Sequence, residues 1–147
     1  MIKLIVVGKM NHKYLNEGIA YYTKQIPYKF KLIEVKDGKN EQAKEQEGRD
    51  ILKHINDLDH VIGLAIQGKN YSSEDFSKHI EQLMMHQQKD IIFIIGGSYG
   101  LSDAVYKRCN SLISFSKMTF PHQLMRLIFV EQIYRAFMIM KNHPYHK

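Results

Sequence analysis

Ile91-Ile92-Phe93-Ile94-Ile95, followed at once by Gly96-Gly97-Ser98-Tyr99-Gly100, is the stretch on which the fold turns. A half-solvated strand alternates apolar and polar residues. This one is apolar at every position, as a central strand covered on both faces by helices is. The glycines begin where the strand ends. Lacking a Cβ, they let backbone approach a ligand closely at the carboxyl edge of a sheet, where α/β proteins bind their cofactors. A tight strand-to-helix turn with no ligand satisfies the same pattern.

Outward from this strand, the chain alternates. Ile2 to Gly8 reads as a strand, and His12 to Ile26 as a helix with Leu15, Ile19, Tyr22 and Ile26 on one face. Phe30 to Val35 gives a second strand, and Asn40 to Leu58 a second helix with Ile51, Leu52 and Ile55 turned inward. His60 to Ile66 is a third strand. Ser72 with Asp75 three residues on resembles a capping box, opening a helix to about Gln88. Beyond the glycines, Ser102 to Arg108 makes a short helix and Leu112 to Phe115 a fifth strand. Such alternation predicts one α/β domain over residues 1–147, a mostly parallel sheet with helices on both faces.

The last helix, from about His122 to Lys141, is apolar from Leu124 to Met140 except at Arg126, Glu131, Gln132 and Arg135. Both of its faces need cover. One can pack on the sheet, and burying the other against a second copy predicts a homodimer. Glu131 and Arg135 are spaced to pair along the helix or to reach into a shared site.

Composition excludes several classes. With 44% apolar and 24% charged residues the chain is globular rather than disordered. No run approaches the ~18 apolar residues of a membrane span, and no segment reads as an export signal, so a cytoplasmic enzyme with no membrane partner is expected. Cys109, the single cysteine, can form no internal disulfide and lacks a second thiol for a zinc or iron–sulfur site; we expect no metal. The net charge is +6, with both ends of the chain basic and the middle acidic. Basic ends suit phosphate backbones through counterion release, and a cationic surface that only keeps the protein soluble fits as well.

A second segment invites a ligand. Ser114 to His122 leaves a strand, passes through a polar and aromatic loop, and ends with Pro-His opening the last helix. Met118 and Phe120 could equally be core residues beneath that loop, and His122 a helix-entry polar group. The glycine cluster is not GxGxxG, follows a late strand and has no acid about 20 residues on; no GxxxxGK[ST] occurs either.

Several motifs in order carry a resemblance. Ile94 to Leu101 (Ile-Ile-Gly-Gly-Ser-Tyr-Gly-Leu), the run Leu112 to Arg126 with Phe-Pro-His inside it, Glu131-Gln132-Ile133-Tyr134-Arg135-Ala136 and the terminal Tyr145-His146-Lys147 are similar to the RlmH family. That family belongs to the SPOUT class of methyltransferases, and the match runs over nearly the whole chain. The resemblance implies a C-terminal trefoil knot over approximately 60–147, a homodimer, and transfer of a methyl group from S-adenosyl-L-methionine to N3 of a pseudouridine. The implied substrate is a stem-loop of 23S, large-subunit ribosomal RNA, free or within the assembled ribosome. It implies cofactor contacts at Leu64, Gly96, Phe115, Ser116, Lys117, Met118, Thr119 and Phe120. Sulfonium chemistry needs no metal and no covalent intermediate, but the acceptor nitrogen must lose a proton, which a neighbouring cation eases. His122, Arg126, Arg135, Tyr145, His146 and Lys147 are the candidates, Tyr145 also as a stacking ring. A ribosome-binding factor without chemistry, or an enzyme of the same class acting on a tRNA ribose, uses the same basic surface.

Overall fold

The computed structural model describes residues 1–86 and 89–147. Its elements alternate as β1 (Ile2–Val7), α1 (Lys13–Thr23), β2 (Phe30–Val35), α2 (Ala43–Leu52), β3 (His60–Asn70), α3 (Ser73–His86), β4 (Ile91–Ile95), α4 (Asp103–Arg108), β5 (Ser111–Ser114) and α5 (His122–Met140). The strands form one sheet in the order β2-β1-β4-β3-β5, with every neighbouring pair parallel. The expected α/β architecture is the observed one.

β4 lies at the centre, and all five of its residues are buried. Strand alternation sorts them. Phe93 and Ile95 join Ile2, Leu4 and Val6 beneath α1, α3 and α5, whereas Ile92 and Ile94 join Ile5 and Val7 beneath α2 and α4. The first layer is the heavier, with Phe93 meeting Phe129 of α5 at 4.8 Å between ring centroids.

α5 runs between α1 and α3 on that layer. Every residue from Leu124 to Met140 is therefore buried or half-buried within one chain. Within one chain the flanks of α5 are packed by α1 and α3, and Leu124, Leu127 and Ile128 stay half-buried. Its first turns also grip the β1–α1 loop. Arg126, 1% exposed, donates from Nη2 to the carbonyls of Val7 (2.7 Å) and Gly8 (2.9 Å) and from Nη1 to Glu34 (3.2 Å). Gln123 donates to the Lys9 carbonyl and accepts from the Asn11 amide.

Three elements differ in length from their sequence reading, the first being α1, which ends at Thr23 rather than Ile26. α2 stops at Leu52 rather than Leu58. Asp59 accepts from the amides of Asn56 (2.8 Å) and Asp90 (3.2 Å), while Arg108 donates to the Asn56 and Asp59 carbonyls, which makes the stretch before β3 a tied turn. β3 runs past Ile66 to Asn70. Ser72 does open α3, its hydroxyl accepting from the Asp75 amide at 3.0 Å; the expected end of that helix near Gln88 lies outside the described residues. No helix among the described residues is long and apolar enough to cross a membrane.

Candidate functional site

The extension of β3 builds one wall of the site. Its pairing with β5 is regular through Leu64↔Ile113, then resumes at Lys69↔Ile113 and Asn70↔Ser114. Both Leu64 and Lys69 thus face Ile113, and the residues between them bulge out of the ladder at the carboxyl edge of the sheet. Gly68 permits this. A Cβ there would lie 2.5 to 2.7 Å from the backbone atoms of Ile113, closer than real Cβ atoms come.

A second wall is the turn after β4. Gly100 has φ +80°, a left-handed conformation that favours glycine, and its amide donates to the Gly97 carbonyl at 3.1 Å. A third wall is the segment after β5, which the Ser114 hydroxyl holds by donating to the Ser116 carbonyl (2.9 Å) while the Met118 amide donates to the Ser116 hydroxyl (3.0 Å).

Together these walls enclose a cavity of about 320 Å³ at the carboxyl ends of β3, β4 and β5. Leu64, Gly96, Phe115, Ser116, Met118, Thr119 and Phe120 all line it, as do Ala65 to Gln67 of the bulge. Lys117 is exposed and is not part of the lining. The cavity's size lies in the range of small-molecule sites, and its surface mixes aliphatic, aromatic and backbone polar groups.

The cation candidates fall in three places. His122 lines the cavity at the start of α5; burial, with the Arg126 charge behind it, pushes its pKa below the usual imidazole value, so the neutral ring is favoured. Arg126 lies outside the cavity lining, in the ties to β1 already described. Arg135 and Tyr145 converge on Glu131, and His146 joins them through Arg135. Glu131 Oε1 accepts from Arg135 Nε (2.9 Å), Arg135 Nη2 (2.7 Å) and the Tyr145 hydroxyl (2.9 Å). Burial and the Glu131 carboxylate push the Tyr145 phenol well up. Arg135 also lies over the Tyr145 ring, 4.8 Å from its centroid, and contacts His146 Nδ1 at 3.0 Å. A guanidinium only donates, so His146 Nδ1 accepts and its Nε2 carries the proton toward Glu74. Tyr145 and His146 are thereby packed on α5 and α3 rather than frayed, whereas Lys147, the remaining candidate, is exposed. Glu131, the hub, was legible only as half of an i,i+4 pair, and Glu74 gave no signal at all.

Among the described residues, no group of three or more His, Cys, Asp or Glu side chains is placed to hold a metal ion. A parallel sheet with a cavity of small-molecule size at its carboxyl edge, walled by a bulge, a glycine turn and a post-strand loop, defines an α/β domain with its candidate site where such sheets bind ligands. The chain belongs to the SPOUT methyltransferases: the family model described as predicted SPOUT methyltransferase matches residues 1–146. It is 52% identical over 157 aligned residues to the ribosomal RNA large subunit methyltransferase H of Streptococcus thermophilus (strain CNRZ 1066), covering 99% of each chain. The same figures hold for the protein of that name from Enterococcus faecalis (strain ATCC 700802 / V583). The resemblance drawn from the motifs is thus borne out. Among solved structures, the probable methyltransferase of Bordetella pertussis Tohama I shares the fold, with a TM-score of 0.56 at 9% identity over 92% of this chain and 95% of that one.

Proposed function

We propose that the cavity binds S-adenosyl-L-methionine and that the enzyme methylates N3 of a pseudouridine in large-subunit ribosomal RNA. The observation that carries this reading is that three separated stretches, around Leu64, around Gly96 and from Phe115 to Phe120, line one cavity in a chain of the SPOUT family. The relatives' names supply the RNA class. Phe115 and Leu64 would hold the adenine, and the backbone of the Gly96–Gly100 turn the polar arm; the three loops would be those of the family's knot.

The donor supplies an electrophilic methyl group, which passes to the ring nitrogen while that nitrogen's proton is released. The chain's own residues position and polarise. Arg135, fixed by Glu131, offers a cation that favours the deprotonated ring. His122, at the cavity and favoured in its neutral form, is able to accept the proton; it lies about 20 Å along α5 from Arg135, so the two would serve one ring only from different subunits of a shared site. The basic ends of the chain grip phosphates, and a homodimer sharing the site across subunits gives a stem-loop more surface than one small chain offers. The compartment is the cytoplasm, where ribosomal RNA is available.

Nucleoside mass spectrometry of ribosomal RNA from a strain lacking this protein tests the reading. Loss of a methylated pseudouridine from the large-subunit RNA is expected, restored by the wild-type gene. An unchanged nucleoside profile would overturn it.

A further inference from the structure

A second, smaller cavity of about 180 Å³ shares the rings of Phe115 and Phe120 with the first. Its remaining walls are Tyr71, Ser72, Ser73, Phe76, Ile128 and Gln132. Most of the aromatic faces are already engaged. Phe76 meets Phe115 edge-on at 5.8 Å, Phe115 stacks on Phe129 at 6.0 Å, and Tyr71 stacks on His79 at 5.3 Å. Phe120 is half-buried and enters no ring–ring contact among the described residues, so its face is available.

The polar side of this cavity is ordered. The Ser73 hydroxyl donates to Gln132 Oε1 at 2.8 Å, and Gln132 Nε2 donates to Glu131 Oε2 at 3.0 Å. Glu131's other oxygen is the one that holds Arg135 and Tyr145. An unbroken chain of hydrogen bonds therefore runs from the cavity to the C-terminal residues.

We propose that this cavity receives the acceptor base of the RNA as a single unstacked pyrimidine ring, its face on Phe120 and its polar edge on Ser73 and Gln132. The inference rests on the methyltransferase reading and deepens it. At 180 Å³ the space falls below the ~300 Å³ at which sites for larger ligands begin, so it admits one ring and excludes a second molecule of the donor. Aromatic walls suit the face of any base. A hydroxyl and an amide together offer the donor and acceptor that the edge of a pyrimidinedione requires, which an aliphatic side chain of a protein partner would leave unmatched. The shared rings set this space against the donor cavity, and Glu131 connects it to the Arg135 cation. An enzyme that modifies a base must draw it out of the stack into a pocket of this kind.

Two variants fill the slot without touching the donor cavity. Ile128→Phe fills it from α5, and Ile128→Cys allows filling after folding by a reversible methanethiosulfonate reagent while leaving Ser73 and Gln132 in place, with wild-type protein treated alongside to report any reaction at Cys109. S-adenosyl-L-methionine affinity, by calorimetry, is expected to stay within about twofold of wild type in both. Methyl transfer to large-subunit RNA is expected to fall by about a hundredfold in Ile128→Phe and in the labelled Ile128→Cys protein, and to return when a reductant removes the label. Transfer at the unlabelled rate by labelled Ile128→Cys protein would overturn the assignment. Failure of wild-type protein to bind the donor is a different result, which removes the methyltransferase reading and the slot with it.

Discussion

Arg126→Ala is expected to lower folding stability by about 3 kcal/mol, the lower end of the ~3–5 kcal/mol seen when one partner of a buried ion pair is removed. The side chain is 1% exposed and crosses from α5 to the end of β1, satisfying the Val7 and Gly8 carbonyls and Glu34. Truncation leaves both carbonyls without that donor and opens a cavity between α5 and the sheet. The loss stays at the lower end because the Glu34 side chain is 36% exposed and its carboxylate can fall back on water. For a chain of this length the midpoint of thermal unfolding should drop by roughly 6–12 °C. Arg126 was also a candidate for the chemistry, and the two roles separate cleanly. At a temperature where the variant is still folded, methyl transfer should remain near wild type. A variant that melts with the wild type yet transfers no methyl group would place the guanidinium in the reaction instead.

Gly68→Ala should disable the site through its backbone. The added Cβ would lie 2.5 Å from the carbonyl carbon of Ile113 and 2.6 Å from its nitrogen, and neither belongs to a side chain that could swing aside. Relief requires the bulge to lift off β5, parting Lys69 from Ile113 and Asn70 from Ser114. Overpacking of this kind costs about 1–3 kcal/mol. The larger effect falls on binding, because the bulge and the residues after Ile113 are opposing walls of one cavity. Donor affinity should fall by about tenfold or more, roughly 1.4 kcal/mol of binding free energy. Calorimetry on the variant at a temperature below its melting transition reads this directly, and wild-type affinity would show that the bulge does not shape the cavity.

Gly68 also marks where the sequence stops being informative. β4 could be read from Ile91 to Ile95 because its burial is total, and the same pattern implied helices on both faces and a ligand edge at Gly96. The bulge in β3 could not. Gln67-Gly68-Lys69-Asn70 lacks the alternation that marks a strand, and it pairs only because β5 lies beside it, a consequence of tertiary packing. α2 was overestimated for a similar reason, since the turn after it is tied by Asp59 and by Arg108, which comes from α4. α5 was read as apolar on two faces, and within one chain it packs between α1 and α3.

The site divides along the same line. Leu64, Gly96 and Phe115 to Phe120 were reached through family motifs, since spacing alone left a bare turn and a loop over core residues as equal readings. Only the fold brings them to one cavity. The C-terminal cluster needed the structure more. Glu74 and His146 lie at opposite ends of a contact that no local pattern announces, and Arg126 carries the same charge as Arg135 yet is buried in a different task.

Titration of the purified wild-type protein with S-adenosyl-L-methionine, followed by calorimetry, is the most direct measurement on the central claim, that the cavity at the carboxyl edge holds a methyl donor. The expected result is saturable binding at micromolar concentrations, weakened in Gly68→Ala and unchanged in the slot-filling Ile128→Phe. No heat of binding at micromolar protein, with the chain folded, would contradict it.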